Sequence, residues 1–197
     1  MSEPADRPKR YERLTDKLPE ILIEAGSVVI ALLLGLALNS WNENREIRQR
    51  ADAARAAIIA ELGENRHEID EARPKLKDIV EKLTAAAADD APASHELNIN
   101  LGLSLLSAAA WRAALATQAS QTIDFAWMTR VAKVYELQEN YIRVQGTALD
   151  QISSIPADKG LSGKQVAQSL IARMSALSQL ADGLSRSYDD VLGEKHP

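Results

Sequence analysis

Glu64 and His67 stand at the Glu-x-x-His spacing that, on a helix, offers a carboxylate and an imidazole to one metal ion. Di-iron bundles need two such motifs and further carboxylates, and no second one occurs in the chain. The pair therefore reads as a solvated helix face rather than a metal site. His95 and His196 have no partner at ligand spacing. The string Gly160-Leu161-Ser162-Gly163-Lys164 has part of a phosphate-cradling loop, but Asp158 stands where the first glycine belongs and Gln165 where Ser or Thr would hold magnesium. It reads as the entry to a helix. There is no Gly-x-Ser-x-Gly nucleophile elbow, and without cysteine neither a thiolate nucleophile nor a disulfide is available. The expectation is a chain with no catalytic residue, no metal and no cofactor.

Polar chemistry of a gentler kind is left. Trp111, Phe125, Trp127, Tyr135, Tyr141 and Tyr188 hold most of the aromatic content, and in a helical protein they would gather in the core. A pocket between helices, or a partner-binding face, would draw on Trp111, Trp127, Tyr135, Gln138, Tyr141 and Gln145, with Arg143 as a further polar contact. Asn65 falls on an otherwise apolar face, where it would set register, cap a neighbouring backbone or lie at the bundle edge.

Helices must position these groups. Apolar residues at Ile47, Ala51, Ala54, Ile58, Leu62 and Ile69 recur at helical spacing, Gly63 weakens the pattern, and Pro74 is expected to kink or end that helix. Leu76, Ile79, Val80 and Leu83 then resume the stripe in a short following helix. Residues 85–94, small, acidic and proline-containing, read as a loose loop. From His95 to Leu105 the period changes to strict alternation, with leucine or isoleucine at every second position, the mark of an extended segment. A lone strand has no partner here, so it leads into a helix or pairs with another subunit. Ser107 is expected to cap a helix to about Ala119 that buries Ala110, Trp111, Ala114 and Leu115. A long helix from near Thr122 carries Met128, Val131, Tyr135, Gln138, Ile142, Gln145, Leu149 and Ile152, and stops at Pro156. The last helix opens on Ser162 and Gln165 as a capping box and carries Val166, Leu170, Met174, Leu177, Ala181, Leu184, Tyr188 and Val191. These seams resemble those of a coiled coil. The economical way to bury them is an all-α fold, an antiparallel bundle of three to four long helices.

Residues 21–41 are of another kind, an apolar run with one ionisable side chain, Glu24, and long enough to cross a hydrocarbon layer about 30 Å thick. A transmembrane helix is expected over 19–41, with Pro19 and Glu20 in its first turn and Trp41 as the membrane-interface anchor. Residues 1–18 form a charged, disordered polar head, and 42–197 the helical-bundle domain. Two rivals stand beside the span: a signal peptide cut after Ala37, and a hydrophobic helix buried in a soluble bundle. Ser27, Ala31 and Gly35 share one stripe that would let two copies approach closely as a homodimer. The head has one more basic residue than the first stretch after the span, which favours a cytoplasmic N-terminus and a periplasmic domain on a bacterial inner membrane. A net charge of -5 and no concentrated basic face argue against nucleic acid as a partner.

The span followed by Trp41-Asn42-Glu43-Asn44-Arg45 resembles the opening of a family of uncharacterised bacterial single-pass membrane proteins with a W-N-E-x-R box directly after the transmembrane helix. Trp111 and the Val134-Tyr135-Glu136-Leu137-Gln138 run with Tyr141 are similar to that family's second half. The resemblance implies an anchored helical domain and carries over no activity. The functional expectation is a non-enzymatic single-pass protein whose partners are the lipid bilayer and an unidentified protein or small ligand. A purely structural scaffold, and an enzyme whose site assembles only in three dimensions, are the alternatives.

Overall fold

The computed structural model describes residues 18–88, 102–154 and 163–193. The charged head, most of the 85–94 loop, His95, His196 and the Ser162 cap lie outside them. The described residues form four α-helices and no strand: α1 (Leu18–Ala88), α2 (Ala109–Ala116), α3 (Phe125–Ser153) and α4 (Gly163–Leu192), with a 3-10 turn at Gln118–Gln121.

Along α1 the chain belongs to two compact units, Met1–Gln49 and Arg50–Pro197. In the first unit Ile23, Val28, Leu33, Leu36, Leu38 and Trp41 are all exposed. A helix greasy on every side has no face to turn to water, and this one is long and apolar enough to cross a membrane. From Ala51 the pattern changes to a single buried stripe, through Ile58, Leu62, Ile69, Ala72, Leu76, Ile79 and Leu83.

That stripe crosses Pro74, so the helix does not end there as the proline suggested. A proline inside a helix costs about 3 kcal/mol, but Ala72 and Leu76 on either side of it are both core residues, and their packing holds the helix on course. Residues 85–88 are likewise helical rather than part of the loop.

In the second unit α3 and α4 form an antiparallel hairpin, tied by Arg173 to the Thr147 carbonyl and by Gln151 to that of Ser169. α4 is also antiparallel to α1, through Arg73 to Asp182 at 2.7 Å and Arg66 to Asp189 at 2.7 Å. α1 and α3 then run the same way, which obliges the chain between them to travel back along the bundle. Its described part, residues 102–108, does that. On α3 its Ser104 meets Gln145 and its Ser107 meets Gln138. The helix rise between those glutamines is roughly 10 Å at about 1.5 Å per residue, so the segment advances about 3.5 Å per residue, fully extended.

The stripes need two corrections. On α3 the second half of the buried face is Tyr141, Gln145 and Ala148, while Ile142 and Leu149 are partly exposed. On α2 Ala114 is buried but Leu115 is 52% exposed, and the helix stops at Ala116 where Thr117 turns extended. The α4 stripe from Leu170 to Val191 is buried as its spacing indicated. Gly193 closes it; a Cβ there would meet the Asp189 carbonyl oxygen at 2.8 Å, so only glycine fits the turn.

Candidate functional site

Glu61, on the buried face of α1, is 7% exposed and lies at the centre of the polar groups inside the bundle. Its Oε1 accepts from the Tyr135 hydroxyl at 2.6 Å and from the Trp111 N–H at 3.4 Å. Its Oε2 accepts from the Ser107 hydroxyl at 2.6 Å and from the Ala110 N–H at 3.0 Å. Two of these donors are unpaired N–H groups of the first turn of α2, so a carboxylate from another helix caps it where the dipole favours negative charge. Ser107 does not cap that turn alone: the helix's flanking residue is Ala108, and Ser107 Oγ accepts only from the Ala109 N–H at 3.2 Å. Burial raises the Glu61 carboxyl, but the Ser107 and Tyr135 hydroxyls and the Ala110 and Trp111 amides more than offset it and hold the group below the usual carboxylate range.

One turn along α1, Asn65 does for the extended segment what a neighbouring strand would do. Its Oδ1 accepts from the Ser107 N–H at 2.8 Å and its Nδ2 donates to the Ser107 carbonyl at 2.7 Å. Gln138 donates to the same carbonyl at 2.8 Å, and its own Oε1 accepts from Asn65 at 3.1 Å and from the Tyr188 hydroxyl at 2.8 Å. Gln145 repeats the pattern at Ser104, accepting from its N–H at 3.1 Å and donating to its carbonyl at 3.3 Å, while the Ser104 and Tyr141 hydroxyls share a hydrogen bond at 3.3 Å. No backbone-to-backbone hydrogen bond joins residues 102–107 to a helix among the described residues. Side-chain amides therefore replace the ladder that a buried extended backbone requires.

Of the six aromatics expected in the core, Phe125 lies outside it, 84% exposed, and the others close around this network. Trp111 stacks on Tyr135 with ring centroids 5.2 Å apart and planes 14° apart, and the Arg55 guanidinium sits 4.9 Å above the Trp127 ring. Burial pushes the Tyr135, Tyr141 and Tyr188 hydroxyls up, and the Glu61 charge adds to it at Tyr135 and Tyr188. All three remain neutral, and those of Tyr135 and Tyr188 donate.

Of the six residues proposed for a pocket or partner face, Trp127, Tyr135, Gln138, Tyr141 and Gln145 are buried and Trp111 is half-buried. The structure brings Trp111, Tyr135, Gln138, Tyr141 and Gln145 into one neighbourhood, with the polar atoms of the last four engaged by Glu61, Asn65, Tyr188 and the segment. Arg143 stays outside, bonded to Asn140 on an exposed face. His67 is exposed and its Nε2 meets Glu71 at 3.2 Å, and no group of acidic and histidine residues among those described could hold a metal. Ser27, Ala31 and Gly35 stand exposed in the apolar half of α1, the Ser27 hydroxyl turned back to the Glu24 carbonyl at 2.8 Å.

Glu61 is the residue that reading along the chain passes over. It sits one position before Leu62 in the apolar stripe and four before Asn65, and that i, i+4 polar pair on a buried face was the available signal. Compared with family models, curated proteins and solved structures, the chain matches none of them.

Proposed function

We propose that this protein is a single-pass, membrane-anchored interaction module, without catalytic work, whose bundle engages a partner protein on the periplasmic side of a bacterial inner membrane. One observation carries the reading. The extended segment is held by hydrogen bonds from inside, yet Leu103 and Leu105 project outward, 49% and 80% exposed, from a stretch that carries no charge between Glu96 and Arg112. Neutral, apolar side chains held on a surface are what a protein contact uses.

A photo-reactive residue at position 105, in cells, is expected to give an adduct with a second polypeptide, and the same residue at Glu71 on the solvated face of α1 is not. No adduct at 105, or equal adducts at both, would defeat the reading. Topology reporters fused after residues 18 and 197 fix the compartment, with the second expected outside the cytoplasm. A structural scaffold is the second reading, favoured by the internal satisfaction of the Glu61 network. Under it α1 could also pair two copies through Ser27, Ala31 and Gly35.

A further inference from the structure

We propose that the groove between α1 and α3 is a recognition groove for an extended, uncharged peptide segment carrying two hydroxyl side chains three residues apart, filled here by the chain's own residues 102–108 and open to a matching segment of a partner protein. The proposal rests on the interaction reading above and names the chemistry of the partner.

The contacts themselves define the ligand. Asn65 and Gln145 each grip one residue by its own N–H and C=O, a grip on backbone that any side chain satisfies. Sequence is read at the two hydroxyls, where Ser107 donates to Glu61 and Ser104 pairs with Tyr141, and at Leu106, which packs against the core. The Glu61 carboxylate sets the charge rule, since an acidic residue at the Ser107 position would meet it at hydrogen-bonding distance and be repelled. Leu103 and Leu105 spend little of their apolar surface on the groove, while Leu106 packs against the core, so a competing segment must bring the polar bonds together with one apolar side chain just before its second hydroxyl. Covalent attachment gives the resident segment a high effective concentration, so a partner competes only when the resident grip is loosened.

The test uses the full-length chain in lipid nanodiscs and a labelled peptide with the sequence of residues 102–108. Ser104→Pro with Ser107→Pro removes the two gripped N–H groups while keeping an extended backbone allowed. The peptide is expected to bind this variant at least about 10-fold more tightly than the unmodified protein, and about 10-fold less tightly when both its serines are alanine or when Gln145→Leu is added. Equal binding to variant and parent overturns the proposal. So does loss of the variant's cooperative thermal transition, because a groove that exists only around its own segment has nothing to offer another. In the parent, the Ser104 and Ser107 amides are expected to exchange with deuterium at least about 10-fold faster than those of Val134 and Tyr141, and equal protection overturns it too. Failure of the peptide with a persisting adduct at position 105 removes the groove and leaves the interaction reading standing. A bound peptide with no adduct does the reverse.

Discussion

The bundle has two cores built on different terms. Where α1, α3 and α4 meet directly, Ile79, Leu83, Ala148, Ala167, Leu170 and Met174 form an apolar cluster that holds none of the buried polar side chains found among the described residues. Where the extended segment and α2 are laid in beside the helices, the cluster around Ile58, Leu62, Trp127, Val131, Leu177 and Leu184 is threaded by Glu61, Asn65, Gln138, Gln145 and three tyrosines. The difference follows from backbone accounting. Helices satisfy their own N–H and C=O groups, so their contact stays dry, whereas an extended stretch brings unpaired groups inside and each must find a side chain. Among the described residues, the buried Glu61, Asn65, Ser104, Gln138 and Gln145 lie in or beside non-helical backbone, while the buried Ser185 bonds Asp70 and Arg73 between α1 and α4.

Substitutions in the two cores should separate these terms. Glu61→Ala carries the largest effect: it strands the Tyr135 and Ser107 hydroxyls and the Ala110 and Trp111 amides, and about 3–5 kcal/mol of stability should disappear in denaturant unfolding of the full chain. Leu170→Ala in the dry core should cost about 2–5 kcal/mol through the cavity alone, with a loss that stays the same at every pH. Equal pH dependence in the two variants would break the comparison.

The pH profile sharpens it. Glu61 has a carboxyl lowered in the folded state from 4.5, so its stabilisation is full above that value and is lost as pH falls through the folded one. Tyr135 and Tyr188 have hydroxyls raised above 10.0, so their share is full below that value and falls as pH rises past it. Melting temperature should therefore drop at both ends. Glu61→Gln should flatten the acid side, at a cost of about 1–3 kcal/mol near neutrality. Gln145→Leu comes next, at about 1–2 kcal/mol with faster amide exchange at Ser104. Leu105→Ser, on the outer face, should move stability by less than about 0.5 kcal/mol and act on partner binding alone.

Much of the architecture was legible because it depends on periodicity. The α4 stripe, the first stripe of α1 and the placement of Asn65 on a buried face all follow from residues recurring at 3.6, and the structure buries most of them, with Ile47, Ala54 and Val166 half-buried. The run to Trp41 was legible for the opposite reason, since apolar side chains on every face match no one-sided core. The alternation ending at Leu105 indicated extended chain but not which set faces inward: over its described part Ser104 points in while Leu103 and Leu105 point out. Period 2 says that side chains alternate, and only the neighbours say which set is buried. The α3 stripe slipped for a similar reason. Tyr141 and Ile142 were both good candidates for one narrow face beside Gln145, and the need to bring Tyr141 to the Ser104 hydroxyl chose between them.

By itself, the order of residues determined an α-helical body, an apolar stretch long enough to cross a bilayer and the absence of cysteine chemistry, because each depends on composition or on contacts a few residues apart. Only the tertiary structure decided that Glu61 caps α2, that Asn65 and Gln145 stand in for a missing strand, and that Pro74 interrupts nothing. Those outcomes turn on groups from distant parts of the chain meeting within hydrogen-bond or packing distance, and such meetings leave no local pattern to read.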